Sequence, residues 1–496
     1  MFIFRYIEYL FRATILHGLV MALFTTVAIA KDKPNILWIM TDDERPDAIG
    51  AYGASWAQTP VADKLAATGV RFQNAITTTP VCMPVRMSML TGLYGHHTGL
   101  MSNRGRLKID FRPLTLQFEK AGYQVANFGK LHWNMKSAFP IRGPKPAYGG
   151  PASSPFKLKE AFDPKKFNVI NLPDFVIVSG TYPLPQEQTE AGLTTQQAIE
   201  FIESEVQEPF LLRVSYIAPH SPVLAPKPYD TLIDPKEIKL QLPSQEELAN
   251  KPLWEQRLRQ WVGSDGKLTE QQIKQSWATY YGLASFVDKE MGQVIKALDK
   301  KGLLANTIIV FISDQGVEMG EHGFYMKRNF YDGTVKIPFM ISWHKMIPAG
   351  QVINEQVEII DLLPTLLDMV GEPVPKNIDG QSAWPLIQRK TNQFREYTFS
   401  EINHLESQYA HLNIDSGRRV MVRTNKWKLI FWIDRAEPDG ALYNLVRDSG
   451  ERHNLFGDFQ YANIRNQLMQ HAFAWDKGEK ESIQKILGKN RISGYD

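Results

Sequence analysis

Residues 35–43 read NILWIMTDD. The run NILWIMT shows no alternation of polar and apolar residues, so it does not suit a strand with one wet face. It suits a strand buried on both faces, as in a parallel sheet covered by helices. It runs straight into Asp42-Asp43-Glu44-Arg45. Similar runs follow. PFLLRVSYIAP (209–219) leads to His220, TIIVFIS (307–313) leads to Asp314-Gln315-Gly316, and IPFMISW spans 337–343. YQVANFGK (123–130) reads as a further strand, ending at Lys130. Helical patterns lie between them. One has Thr59 as N-cap, Pro60 at its first position, Val61 and Leu65 on one face and Gly69 as its stop. Others cover 194–206, about 269–300 and DLLPTLLDMVG (361–371). This alternation predicts an α/β protein with a large, doubly wound mixed sheet flanked by helices.

Beyond about residue 385 the pattern changes. RRVMVRTNKWKLIFW (418–432) and GALYNLV (440–446) read as antiparallel strands, with a polar helix at about 458–476. The expected organisation is a segment 1–30, a main α/β domain 31–385 and a smaller C-terminal α+β subdomain 386–496. Residues 134–190, rich in Pro, Gly and Lys, read as long surface loops, and 221–265 as an irregular insertion with a polar helix near 245–260.

The chain has 496 residues, 43% hydrophobic and 22% charged, the composition of a globular protein with a large core. A net charge of +3 without basic runs gives no sign of a nucleic-acid partner. Residues 1–30 differ from the rest: Arg5 and Arg12 precede ATILHGLVMALFTTVAIA, which ends in Ala28-Ile29-Ala30. This is the pattern of a secretory signal with a small-x-small cleavage site, and a retained membrane anchor is the other reading. The expectation is export to the periplasm or medium, with no stable membrane insertion after cleavage. In an exported chain one cysteine forms no internal disulfide. The single Cys82 is therefore either an inert buried thiol or present for its reactivity.

Its surroundings favour reactivity. Pro84 suits a first helical turn and Gly92 suits its end, so Cys82 lies just ahead of a helix N-terminus with Arg86 one turn in, a place for an anion. Two buried strands also end in acids. Asp42, Asp43 and Asp314 brought to one sheet edge would repel one another without a cation. Oxygen ligands, with a carbonyl from Gln315, suit a hard cation, Ca²⁺ or Mg²⁺.

Taken in order, Asp42-Asp43, Cys82-x-Pro84-x-Arg86 with Leu90-Thr91-Gly92, Gly129-Lys130-x-His132, Ala218-Pro219-His220-x-Pro222, Asp314-Gln315-Gly316 and Gly320-Glu321-His322-Gly323 with Lys327 resemble the formylglycine-dependent sulfatases of the alkaline-phosphatase superfamily. The C-terminal ALYNLVRDSGERHNL (441–455) is similar to the segment that closes many of them. The resemblance covers nearly the whole chain after residue 30. It implies an alkaline-phosphatase-like fold and a sulfuric ester hydrolase. It implies oxidation of Cys82 to formylglycine by a formylglycine-generating or anaerobic sulfatase-maturating enzyme, and one Ca²⁺ ion, favoured over Mg²⁺, held by Asp42, Asp43, Asp314, Gln315 and modified Cys82. Arg86 would act on the nucleophile and on sulfate, Lys130 and Lys327 on the sulfate oxygens. His132 would take a proton from the nucleophile, His220 would serve the departing alcohol oxygen, and His322 would hold the loop that carries Lys327. Two departures stand out. The last metal position more often holds Asn or His than Gln315, and the usual Tyr-Glu-Glu is here Tyr331-Asp332-Gly333.

The expected substrate is a sulfated polysaccharide or oligosaccharide. Arg104, Arg106, Lys136 and Arg328 are candidate contacts by position, and Trp133 and Tyr325 could pack on a sugar ring. The alternatives are a phosphonate or phosphodiester monoesterase of the same superfamily, and a non-catalytic protein that binds sulfated glycans.

Overall fold

The computed structural model describes residues 33–103, 113–132, 166–172, 176–204, 206–263, 267–404, 417–435 and 439–489. The expected signal segment, Arg104, Arg106, Trp133 and Lys136 lie outside them. Among the described residues no helix is long and apolar enough to cross a membrane.

Seven strands form the central sheet, in the spatial order Gln351–Glu358, Val70–Ile76, Phe339–Trp343, Thr307–Ser313, Asn35–Asp42, Phe210–Pro219, Gln124–Gly129. Strand 35–42 runs parallel to both neighbours, and 124–129 runs parallel to 210–219. Strand 339–343 is antiparallel to 307–313 and to 70–76, which makes the sheet mixed. Both faces of the centre are buried, as the unbroken apolar runs require. Leu37 and Ile39 face one core, with Leu212, Ile309 and the long Glu270–Lys300 helix. Ile36, Trp38 and Met40 face the other, with Val310, Ile312 and the Leu362–Met369 helix.

Register decides what meets at the carboxyl edge. Met40 stands opposite Ile312 and Ser215, and Ser215 stands opposite Gly129. The residues just beyond this row are Asp42-Asp43, Asp314-Gln315 and Lys130. A register shift after Met40 sets Asp42 against Pro219, which brings His220 to the same edge. Gly129 allows the close approach there: its φ is 82°, and a Cβ would stand 2.1 Å from the Ser215 carbonyl oxygen.

Several elements differ from the sequence reading. Strands 70–76 and 351–358 lacked a long apolar run and were not expected; each carries exposed or half-buried positions among its buried ones. The described part of 134–190 is not loop throughout, because Ile170–Leu172 pairs antiparallel with Val176–Ser179. The helix at the cysteine starts at Cys82 itself, with Val81 as N-cap, and runs to Thr91; Gly92, with φ 68°, ends it. The C-terminal sheet has four antiparallel strands, Thr398–His404, Gly417–Arg423, Trp427–Trp432 and Gly440–Asn444, the first of them also unexpected. The helix that packs on it through Leu468 and Ala472 extends over Ala462–Lys489.

Candidate active site

Cys82 is buried at the first turn of its helix. Its Sγ lies 2.8 Å from Lys327 Nζ, 3.2 Å from Gln315 Nε2 and 3.5 Å from Asp42 Oδ1. Burial and Asp42 push the thiol pKa up, but Lys130, Lys327 and a hydrogen bond from His132 bring it well below the ordinary thiol value. The environment therefore favours an anion at this position.

Arg86, one helical turn on, is also buried and fully engaged. Its Nε donates to Asp314 Oδ2 at 2.8 Å and its Nη2 to Asp42 Oδ2 at 3.1 Å. Its Nη1 donates to Ser215 Oγ at 3.0 Å and to the Lys130 carbonyl at 3.2 Å. Lys130 pairs with Asp42, and Lys327 pairs with Asp43 at 2.6 Å. His220 Nε2 stands 3.7 Å from Asp43 Oδ2, while its Nδ1 is bonded to the Ser221 carbonyl. His220 is the more open member, its side chain 22% exposed.

The three carboxyls are not equivalent. Burial raises all three, but Lys130, His220, Arg86 and Lys327 outweigh it at Asp42 and hold that pKa well below the carboxylate range. At Asp43 burial wins over Lys327 and His220, with help from Asp42 and Cys82, and the pKa is raised. Asp314 is pushed up to about 7 by burial and by Asp42. His220 is lowered by burial and Lys327, yet Asp43 and Asp42 raise it above its usual value on balance.

A cation fits these residues. Asp42, Asp43, Cys82 and His220 each offer a ligand atom, all within 4.8 Å of one another. Gln315 is fully buried and its Oε1 accepts no hydrogen bond among the described residues, while its Nε2 reaches Asp43 Oδ1 at 2.7 Å. A half-turn of that amide exchanges the two atoms and turns an uncommitted carbonyl oxygen toward the acids. Asp314 is committed within the protein: besides Arg86, it accepts the backbone N–H of Asp43 at 3.2 Å and of Gln315 at 2.9 Å.

Other expected residues fall at different depths. His132, with φ 54°, follows Lys130 at the rim. Tyr325 does not line a sugar site: it is 3% exposed and its hydroxyl lies 2.8 Å from Ser276 Oγ in the core. Arg328 is half-buried, and its carbonyl accepts Arg419 Nη2 at 3.4 Å. His322 stacks on Tyr331, ring centres 3.7 Å apart, and Lys251 donates to the Tyr331 hydroxyl at 2.8 Å. The stack joins residues 322 and 331, which lie on either side of Lys327 in the chain.

The sequence reading missed Arg213. Its Nη1 donates to Asn127 Oδ1 at 2.6 Å and to the Lys130 carbonyl at 3.2 Å, and the guanidinium lies over the Trp38 ring. Arg213 and Arg86 thus meet on the Lys130 carbonyl and on Ser215. The signal was there: an arginine inside the apolar run FLLRVS has no reason to be buried unless something polar waits for it.

Comparison with known proteins identifies the family and the fold. The sulfatase family model matches residues 34–372, more than half of the chain, and a model for the C-terminal part of N-sulphoglucosamine sulphohydrolase matches residues 320–477. An arylsulfatase of Clostridium perfringens is 27% identical over 93% of this chain and 98% of its own length. An N-acetylglucosamine-6-O-sulfatase of Bacteroides thetaiotaomicron is 26% identical over 88% of this chain and 85% of its own length. The fold is shared with a phosphonate monoester hydrolase of Agrobacterium radiobacter, at TM-score 0.78 and 23% identity over 90% of this chain and 96% of that one. It is shared also with a structure holding its substrate D-glucosamine-2-N,6-O-disulfate, at TM-score 0.70 and 24% identity over 90% of this chain and 98% of that one. The chain belongs to the sulfatase family of sulfuric ester hydrolases.

Proposed function

We propose that this protein is an exported sulfatase that removes sulfate from a sulfated polysaccharide or oligosaccharide, with Cys82 converted to formylglycine and one Ca²⁺ ion bound beside it. The observation that carries the reading is Cys82 itself: buried at a helix N-terminus, with Lys327 at 2.8 Å, Gln315 at 3.2 Å and Asp42 at 3.5 Å. A structural thiol has no need of such company.

Oxidised by a maturation enzyme and hydrated, Cys82 would supply a diol hydroxyl to attack sulfur, and collapse to the aldehyde would then release sulfate. Ca²⁺, held by Asp42, Asp43, Gln315 and modified Cys82 with Asp314 alongside, would supply positive charge for the nucleophile and for a sulfate oxygen. The remaining work falls to this chain's own groups. Arg86 holds Asp42 and Asp314 in place and adds charge beneath the nucleophile. The ammoniums of Lys130 and Lys327 converge on the same point and would neutralise the sulfate oxygens as the S–O bond breaks. His220, the more open of the set and held protonated by Asp43 and Asp42, would give its proton to the departing sugar oxygen. His132 would accept the proton lost when the diol collapses.

The electrostatic balance supports an anionic substrate. Three carboxylates face Arg86, Lys130 and Lys327, so a divalent cation leaves a surplus of positive charge for a sulfate ester. The relatives named as an arylsulfatase and an N-acetylglucosamine-6-O-sulfatase support the substrate class. The N-terminal pattern supports export, and the division at residue 385 separates the catalytic domain from the C-terminal sheet.

The test is expression with a maturation enzyme, mass spectrometry of the Cys82 peptide, and sulfate release from sulfated oligosaccharides of defined linkage, with an aryl phosphonate in parallel. A formylglycine mass together with sulfate release is expected, and Cys82→Ala abolishes release. An unmodified thiol, or full hydrolysis by the alanine variant, overturns the reading; faster turnover of the phosphonate moves it to the phosphonate monoesterases.

A further inference from the structure

Asp43 has left-handed backbone, with φ 63°. Non-glycine residues keep that conformation where their surroundings hold it in place. The turn after strand 35–42 is held by side chains. Asp43 N donates to Asp314 Oδ1 at 3.2 Å, Glu44 N to Ser313 Oγ at 3.0 Å and Arg45 N to Tyr280 Oη at 2.9 Å. Tyr280 does more than accept: its hydroxyl donates to the Asp43 carbonyl at 2.7 Å. One hydroxyl therefore closes the turn from residue 43 to residue 45, taking the place of a backbone hydrogen bond.

Tyr280 comes from the middle of the Glu270–Lys300 helix and is 1% exposed. Burial, then Glu44, raise its pKa well above the phenol range, so it stays a neutral group that both donates and accepts. No motif of the site includes it.

We propose that Tyr280 is a positioning residue for the cation site: its hydroxyl clamps the Asp43 carbonyl and the Arg45 N–H, and so fixes the left-handed turn that presents the Asp43 carboxylate to Cys82, Lys327 and His220. The inference rests on the reading of Asp43 as a cation ligand. Its neighbour Tyr281 is the natural control. Tyr281 is equally buried on the same helix, and its hydroxyl has no hydrogen-bond partner among the described residues.

The experiment is calorimetric titration of Ca²⁺ into the metal-stripped full chain, as wild type, Asp43→Asn, Tyr280→Phe and Tyr281→Phe, with melting curves of each Ca²⁺-free protein. Loss of a group that orients a metal ligand costs roughly ten- to a hundredfold in affinity. Tyr280→Phe is expected to weaken Ca²⁺ binding by about that factor, and Tyr281→Phe to leave it unchanged. In the matured enzyme the Ca²⁺ concentration for half-maximal activity should rise in parallel, with KM for substrate at saturating Ca²⁺ unmoved. If wild type binds Ca²⁺, Asp43→Asn weakens it and Tyr280→Phe does not, the role assigned to Tyr280 is wrong and the cation site stands. A lower melting temperature for Tyr280→Phe with unchanged affinity reduces Tyr280 to a core residue and overturns the inference. If wild type itself binds no Ca²⁺, the reading of the site fails first, and the inference with it.

Discussion

Replacing Arg86 by lysine keeps the charge and removes the geometry, which makes it a demanding test of the site. The guanidinium reaches four acceptors at once: Asp314 at 2.8 Å, Ser215 at 3.0 Å, Asp42 at 3.1 Å and the Lys130 carbonyl at 3.2 Å. An ammonium is a single nitrogen on a different stem, and it cannot stand within hydrogen-bond distance of Asp314, Asp42 and the Lys130 carbonyl together. At least two bonds are lost, one of them to a carboxylate. A bond to a charged group contributes about 1.5–3 kcal/mol and a neutral one about 0.5–1.5 kcal/mol, so the folded state loses roughly 2–4 kcal/mol. The loss is felt in full because the site is dry, with Arg86 1% exposed. In turnover, loss of one preorganised donor costs on the order of 10²–10³ in kcat. Arg86 belongs to the segment that a maturation enzyme would read, so turnover must be counted per formylglycine, with the Cys82 peptide quantified by mass spectrometry. The expected result is a lower melting temperature and a kcat reduced by about 10²–10³ per converted site. A variant whose kcat per formylglycine is within about threefold of wild type would show that charge alone suffices and that the fork does nothing.

Two further outcomes follow from buried groups away from the nucleophile. Asp288, on the long helix, accepts the backbone N–H groups of Val61 and Ala62 at 3.0 and 2.8 Å, and burial pushes its pKa from 3.8 up to about 7. A carboxyl raised on folding stabilises the protein fully below its unfolded pKa. That contribution falls as pH rises through the interval and is gone above about 7, a span of about 4 kcal/mol. Asp288→Asn gives up one of the two accepting oxygens at every pH, but its melting temperature relative to wild type should rise from pH 5 to pH 8; parallel curves for the two proteins would refute the assignment. Lys428→Met removes the donor to the Phe330 carbonyl, at 2.9 Å, and the partner of Asp332, at 2.6 Å. Turnover should drop at least tenfold while Cys82 conversion is unaffected; unchanged turnover would sever the C-terminal sheet from the site.

The central strands were legible because burial on both faces leaves an unmistakable mark: no polar residue interrupts NILWIMT or TIIVFIS. Their order was not legible. Strand 339–343, apolar except for Ser342, runs antiparallel between 307–313 and 70–76, and nothing in IPFMISW states its direction. Strands 70–76 and 351–358 alternate only in part and lack the apolar run, so neither period announced them. In the site, residues carried by short motifs could be named from the family resemblance those motifs carry. Arg213 and Tyr280 could not, since each reaches the site from the interior of a strand or helix and through the backbone of another residue. Tyr331-Asp332-Gly333, a departure at the level of motif, has a physical reason. A Cβ at Gly333 would stand 2.7 Å from Glu318 Oε1 and 2.8 Å from Arg45 Nη1, and Gly316, just after Gln315, already packs against the Gly333 carbonyl. A longer residue at 333 would push on the turn that carries Gln315.

Asp332 ties the C-terminal sheet to the segment that carries Lys327. Lys327 sits between Met326 and Arg328, both left-handed, with φ 78° and 82°. Two such residues in a row of three do not persist without external restraint. The restraint comes from the C-terminal sheet: Arg419 donates to the Arg328 carbonyl, Lys428 to the Phe330 carbonyl, and Arg423 and Lys428 both pair with Asp332. Burial raises the Asp332 pKa, but Arg423 and Lys428 reverse this and hold it well below the carboxylate range, so the acid stays charged and the clamp stays closed. Lys428 is fully buried and also pairs with Glu451, within the segment 441–455 that resembles the closing stretch of the sulfatases. A cation buried with two carboxylates is an expensive way to gain stability alone. Its geometry is better accounted for by what it fixes: the position of one ammonium, 2.8 Å from Cys82 Sγ.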